Sequence, residues 1–211
     1  MSHSHPPQIR PTYFGIGIPL GLHYSHDPHQ MPVGQIAHRG RIVMLDPVSY
    51  HVWADALMGR IDSDRMVQDS SYWPPLARSL HPERFSHKNW ANLEDIIYIL
   101  DHQGLLWYWN NYVKPGDVWD KFLVFPQGIL IGNRDTADHF YLYRSINELA
   151  IEFDGVSSML WLHWYASPKV GETVDYVADQ LVIPTRDVFV RALSTIITGM
   201  QANLLFLDAV E

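Results

Sequence analysis

The chain has 211 residues, 47% of them hydrophobic, which is enough apolar mass to bury a core and too much for a disordered chain. It contains no cysteine, which excludes disulfides, thiolate metal sites and a cysteine nucleophile, and suits a reducing cytoplasm. The formal net charge is −8 and unevenly spread: residues 1–128 carry ten Lys and Arg against twelve Asp and Glu, residues 129–211 five against eleven. Neither half offers the basic face that phosphate binding requires.

Residues 1–34 form a His-, Pro- and Gly-rich N-terminal extension. Its first residues, Met1–Pro7, show neither the basic nor the apolar region of a secretory signal. No apolar stretch of the chain is long enough to span a bilayer, so the expectation is a cytoplasmic protein without a membrane partner. Tyr13–Ile18 and Leu20–Tyr24 alternate in polarity and predict the two strands of a hairpin. His23, His26 and His29, with Asp27 among them, have a spacing at which imidazoles share Zn²⁺ or Ni²⁺, and His38 is a candidate further ligand. The competing reading is a solvated, Pro-broken loop that binds no cofactor.

An internal repeat follows. Residues 43–53 read Val-Met-Leu-Asp-Pro-Val-Ser-Tyr-His-Val-Trp, and residues 151–161 read Ile-Glu-Phe-Asp-Gly-Val-Ser-Ser-Met-Leu-Trp. At an offset of 108, Asp46 meets Asp154, Val48 meets Val156, Ser49 meets Ser157 and Trp53 meets Trp161. In both, an apolar strand ends at an Asp suited to cap a helix that carries a Trp two turns in. A second helix is expected at Ser63–Asp69 and Glu172–Gln180. A third shows i, i+3, i+4, i+7 spacing at Leu93, Ile96, Ile97, Leu100 and at Leu193, Ile196, Ile197, Met200. The offset there is 100, which predicts a longer loop in the first copy near Trp73 and His81. Each third helix leads into an apolar strand, Leu105–Trp109 or Leu204–Leu207. In the first copy, Leu105–Val113 and Val118–Phe125 flank the turn sequence Lys114-Pro-Gly-Asp117 and predict a long wing. Ahead of the second repeat, Ile129–Ile131 and Tyr141–Tyr143 read as strands.

The reading is an α+β fold of two tandem winged-helix-like modules, residues 35–127 and 128–211, after the extension. The pattern of strand, Asp and Trp-bearing helix, followed by Thr173-Val174-x-x-Val177-Ala178 and Leu204–Leu207, resembles the PqqD-like family, also called the RiPP recognition element. The resemblance covers about sixty residues of the second copy and, more loosely, about sixty-five of the first. It implies β-augmentation, in which a precursor's leader peptide adds a strand to a sheet edge and lies against the third helix. That places a peptide groove along Arg41–Leu45 and Leu149–Phe153 with the third helices. The residues expected to contact peptide are Arg41, Val43, Leu45, Leu93, Ile97, Leu149 and Ile151, together with Trp107 and Trp109 on one face of their strand.

No Gly-x-Ser-x-Gly, His-Glu-x-x-His or phosphate loop occurs, so the first expectation is a non-enzymatic module that binds a peptide or a protein, a second copy of itself included. A winged-helix DNA-binding regulator is the second reading. It is disfavoured by Glu94, Asp95 and Asp101 on the polar side of one third helix. A metal-binding protein or metalloenzyme using the N-terminal histidines is the third.

Overall fold

A computed structural model describes residues 11–24, 31–68, 72–80, 93–110, 114–132, 140–145 and 148–210. The fold is α+β, with small antiparallel sheets and helices in two compact units, Ile9–Asn110 and Asn111–Val210.

In the N-terminal unit, strand β1 (Thr12–Gly15) is followed by β2 (Ile18–His23), β3 (Val33–His38) and β4 (Arg41–Leu45). Strands β2, β3 and β4 form an antiparallel meander. Helix α1 (Pro47–Leu57), the short β5 (Ile61–Asp62), and helices α2 (Ser63–Gln68), α3 (Pro75–Leu80) and α4 (Leu93–His102) come next. The closing strand β6 (Leu106–Trp109) pairs with β1, and β5 pairs with the other side of β1. The hairpin expected from Tyr13–Ile18 and Leu20–Tyr24 is therefore not formed. Gly17, at φ +108, turns the chain out of the β1 sheet and into the meander, where β2 pairs with β3 instead. A Cβ at Gly17 would meet the Ile36 side chain at 2.5 Å, so both conformation and space require glycine there.

The C-terminal unit repeats this plan. After the one-turn α5 (Pro115–Val118), β7 (Phe122–Pro126) leads into the meander β8 (Ile129–Gly132), β9 (Phe140–Ser145) and β10 (Glu148–Phe153). The strands expected at Ile129–Ile131 and Tyr141–Tyr143 thus pair as β8 and β9. Helices α6 (Gly155–Trp164), α7 (Val170–Leu181) and α8 (Thr185–Gln201) precede the closing strand β11 (Leu205–Ala209), which pairs with β7. The wing predicted from Leu105–Val113 and Val118–Phe125 is not made, because each candidate strand has a partner elsewhere: β6 takes β1, and β7 takes β11. Adjacency in sequence loses here to pairing between the first and last strands of each unit.

The correspondence reaches single hydrogen bonds. Gly128, at φ +93, turns β7 into β8 as Gly17 does for β1 and β2. The Ile16 amide donates to the Leu105 carbonyl at 2.8 Å, and the Gln127 amide to the Leu204 carbonyl at 2.7 Å. Both third helices end in a Schellman turn, with Gly104 or Asn203 in the left-handed region and a bond from Leu105 to Leu100 or from Leu204 to Gly199. The small β5 is reduced in the C-terminal unit to one bridge, Leu123 with Lys169.

The sequence explains why these elements form. Asp46 caps α1, its Oδ1 accepting from the Val48 and Ser49 amides, with Pro47 at the first helical position. Asp154 caps α6 through the Ser157 amide at 2.8 Å. Trp53 and Trp161 are fully buried one and a half to two turns later, and Trp53 Nε1 donates to the Ile16 carbonyl at 3.0 Å. The i, i+3, i+4, i+7 residues of both third helices are buried as their spacing predicts.

The longer loop of the first copy contains a helix that the sequence reading did not anticipate. Helix α3 packs on α1, and its first turn is capped from a distance. Asp55 Oδ2 accepts from the Leu76 amide at 2.8 Å and from the Ala77 amide at 3.1 Å. Burial pushes the Asp55 carboxyl above its usual range, against the opposing pull of these two amides and of Arg60. At the offset of 108, the C-terminal unit has His163, which packs its ring on Tyr176 instead.

Candidate functional site

The edge strand β4 is the most regular exposed edge of the N-terminal meander. Arg39 and Gly40, at φ +48 and +66, form a two-residue turn between β3 and β4. His38 and Arg41 flank it, and the register then runs Ala37–Ile42, Ile36–Val43, Gln35–Met44 and Gly34–Leu45. A two-residue turn closes on a hydrogen-bonded pair, and bonded and non-bonded pairs alternate from there. The main-chain groups of Arg41, Val43 and Leu45 therefore face β3, while those of Ile42 and Met44 face the open edge. Among the described residues β4 pairs with β3 alone. Ile42 and Met44 also leave 61% and 63% of their own surface exposed, against the usual burial of such residues.

The opposite edge of the same meander is blocked. Pro19 on β2 lacks an amide hydrogen, and a register shift at Gly21 distorts the strand beside it. Natural sheets protect edges in this manner, and β4 carries neither device.

A cleft of about 740 Å³ adjoins β4 at the turn end, lined by His38, Arg39, Arg41, Ile42, Val43 and Gln103. Gln103 follows the last turn of α4, and Gly104 beside it would bring a Cβ within 3.3 Å of His38 Nε2. The lining thus joins a sheet edge to the end of the third helix. The described lining includes the guanidinium groups of Arg39 and Arg41. A shallower apolar hollow of about 360 Å³ lies at the other end of β4, between Met31, Val33, Met44, Leu45 and Pro47.

The expected peptide contacts divide in three. Arg41 and Val43 line the cleft, and Leu45 the hollow. Leu93, Trp107 and Trp109 belong to the core; Trp107 packs near Phe14 and at right angles to Trp109, and only Tyr108 of that strand is exposed. Ile97, also nearly buried, reaches the wall of a separate cleft of about 590 Å³ with Tyr13, Tyr98, Tyr108, Asp64 and Asp101. There the Tyr13 hydroxyl is held above its usual range by burial first and then by Tyr108 and Asp101. Leu149 and Ile151 lie on β10, and Ile151 lines a small cleft of about 160 Å³ between β10 and α8.

That C-terminal cleft lies at the other end of its strand, beside the capping Asp154 and the middle of α8. The β10 register shifts at Glu148/Leu149 and at Leu149/Ile151. Arg191 Nη1 lies 3.3 Å from Asp154 Oδ2, so the arginine lining it already faces a carboxylate. The sequence reading missed Arg39, Ile42, Met44 and Gln103; the signal for the first was Arg39-Gly40 between two alternating stretches, the pattern of a tight hairpin.

His23 stands exposed at the end of β2. His26 and His29 lie outside the described residues. Among the described residues no group of three His, Asp or Glu side chains is placed to hold a metal ion, and no helix is long and apolar enough to cross a membrane. Compared with protein-family models, curated proteins and solved structures, the chain gives no match.

Proposed function

We propose that the chain binds an extended segment of a peptide or protein as an added strand on β4. The observation that carries this reading is the open edge at Ile42 and Met44, with outward main-chain groups and exposed apolar side chains on a regular strand. Strand addition draws affinity from main-chain bonds and specificity from alternate side-chain pockets. The basic cleft and the apolar hollow lie at the two ends of β4 and provide such pockets. Leader-peptide recognition in peptide natural-product biosynthesis is the form of this activity that the resemblance suggests, with β4 as the receiving edge. The exposed side of α4 supports a peptide over nucleic acid, since it displays Glu94, Asp95 and Asp101.

The test is to pan a displayed library of random dodecapeptides against the full chain and to measure the enriched sequences by fluorescence anisotropy. Met44→Pro removes one outward amide and leaves the bonds to β3 in place, so it is tolerated at this edge. The expected result is enrichment of alternating peptides that Met44→Pro weakens at least tenfold and Met44→Ala weakens less. Peptides that bind Met44→Pro as tightly as the parent chain, or no enrichment at all, would overturn the reading.

A further inference from the structure

We propose that the protein partner of β4 is a second copy of this chain, paired antiparallel along the same edge about a twofold axis at Val43. This rests on the strand addition proposed above and names the partner of that edge.

The strand is complementary to itself. Its outward main-chain groups belong to Ile42 and Met44. Turned end for end about Val43, β4 sets Ile42 of one copy opposite Met44 of the other, and Met44 opposite Ile42. Both are then hydrogen-bonded pairs that exchange two main-chain bonds each, with Val43 facing its own copy between them. The side chains follow the same symmetry. Ile42 and Met44 share one face of β4, and each leaves more than half of its surface exposed. Across the axis each lies against the other, at a cross-strand spacing where apolar pairs stabilise a sheet.

Charge selects the antiparallel sense. Parallel pairing in register would set Arg41 beside Arg41, and like charges directly opposite each other destabilise a sheet. Antiparallel pairing moves the two arginines to opposite ends of the contact. Each then comes within one position of the other copy's Asp46, the carboxylate that caps α1.

The sheet also says where the assembly stops. The β2 edge carries Pro19 and the register shift at Gly21. Two three-stranded meanders joined at β4 therefore make one six-stranded sheet with a blocked β2 strand on either side. A self-complementary contact of this kind closes at two copies, whereas a contact between two unlike surfaces propagates unless it closes into a ring. A regular edge with exposed apolar side chains is otherwise an aggregation liability, and twofold pairing removes it.

Sedimentation equilibrium of the full chain, from about 1 to 100 µM, reads the assembly. The expected result is a species of twice the 24.4 kDa chain mass. Met44→Pro removes one bond from each pair, and Ile42→Lys puts a charge opposite Met44. Each is expected to raise the dimer dissociation constant at least about tenfold while keeping the circular dichroism of the parent. The chain has no cysteine, so an introduced thiol reports the register. Val43→Cys faces its own copy at a Cα separation of about 4.5 Å, within reach of a disulfide, and is expected to form a covalent dimer on mild oxidation. Ile42→Cys and Met44→Cys face each other's position, and are expected to crosslink only when the two variants are mixed. A parent chain that stays monomeric throughout, while peptides sensitive to Met44→Pro bind it, would overturn the second copy and leave strand addition standing. A dimer indifferent to Met44→Pro and Ile42→Lys, or one in which Ile42→Cys crosslinks alone and Val43→Cys does not, would put the contact elsewhere and overturn the proposal. If peptides and dimer are both indifferent to Met44→Pro, strand addition falls with it.

Discussion

The two units share a framework and differ at its margins. In each, the first and last strands pair antiparallel, a left-handed glycine leads into a three-stranded meander, an Asp-capped, Trp-bearing helix packs on the meander, and a third helix packs on that helix and on the closing strand. In the C-terminal unit the meander edge is irregular, the helix α7 runs unbroken for 12 residues, and the arginine at the cleft is paired with the capping aspartate. In the N-terminal unit the edge is regular and open, an additional helix interrupts the corresponding region, and the turn at the cleft is basic. The shared parts are those the core requires, and the edges, turns and loops are where the units differ.

The largest effects test whether the frameworks are equivalent. Trp53→Ala and Trp161→Ala are each expected to lower stability by about 3–5 kcal/mol in urea titrations, because both remove a fully buried indole. The Phe variants separate the two sites. Trp53 donates to Ile16, whereas Trp161 Nε1 is buried with no acceptor among the described residues. Trp53→Phe should therefore cost about 1 kcal/mol more than Trp161→Phe; equal costs would show that the bond contributes nothing and remove this distinction between the copies.

Asp55 probes α3, which has no counterpart among the described residues of the C-terminal unit. Asp55→Ala leaves the Leu76 and Ala77 amides uncapped and is expected to lose about 2 kcal/mol, while His163→Ala at the corresponding C-terminal position loses much less. The pH dependence gives the sign. The folded-state pKa of Asp55 is raised, so the folded chain holds this proton more tightly than the unfolded one. Its contribution to stability therefore improves as pH falls from neutral through the folded pKa and is worst above it. Thermal melts should show the parent gaining on Asp55→Asn as the buffer is acidified; a constant difference would contradict the burial argument.

The capping aspartates give the smallest effect and the finest comparison. Asp46→Ala and Asp154→Ala should each cost about 1 kcal/mol. Only the second also breaks an exposed ion pair, with Arg191. Its cost should shrink when salt is raised to 0.5 M and that of Asp46→Ala should not, as chemical denaturation in urea at two salt concentrations would report.

Much of this was legible in the sequence because repetition amplified it. The Asp, Val, Ser and Trp at a single offset located both helix starts, and the third helices followed from their apolar spacing. The termini of each unit were not legible. Tyr13–Gly15 and Leu106–Trp109 are about ninety residues apart, and local pattern carries no information on so distant a pairing, so β6 was matched with its nearest neighbour in the chain. Alternation correctly placed Trp107 opposite Tyr108 but assigned the wrong side to the partner, since which face is covered depends on β1 and Phe14. Arg41 and Val43 were expected on an edge strand ahead of a capped helix, and β4 is such a strand. Arg39 and Gln103 were not singled out, because a turn and a helix end meet at one cleft only through the fold.

The pairing of first with last strands has a consequence for how such a chain is assembled. Thr12 lies opposite Trp109, and Phe122 opposite Ala209, so the entry and exit of each unit stand side by side across one strand spacing. A unit of this form is joined to its surroundings at a single seam. Cutting or splicing there leaves no strand without its partner, which is the condition for circular permutation and for growth by copying whole units. The gene can lengthen in register with the fold, one closed loop of structure at a time.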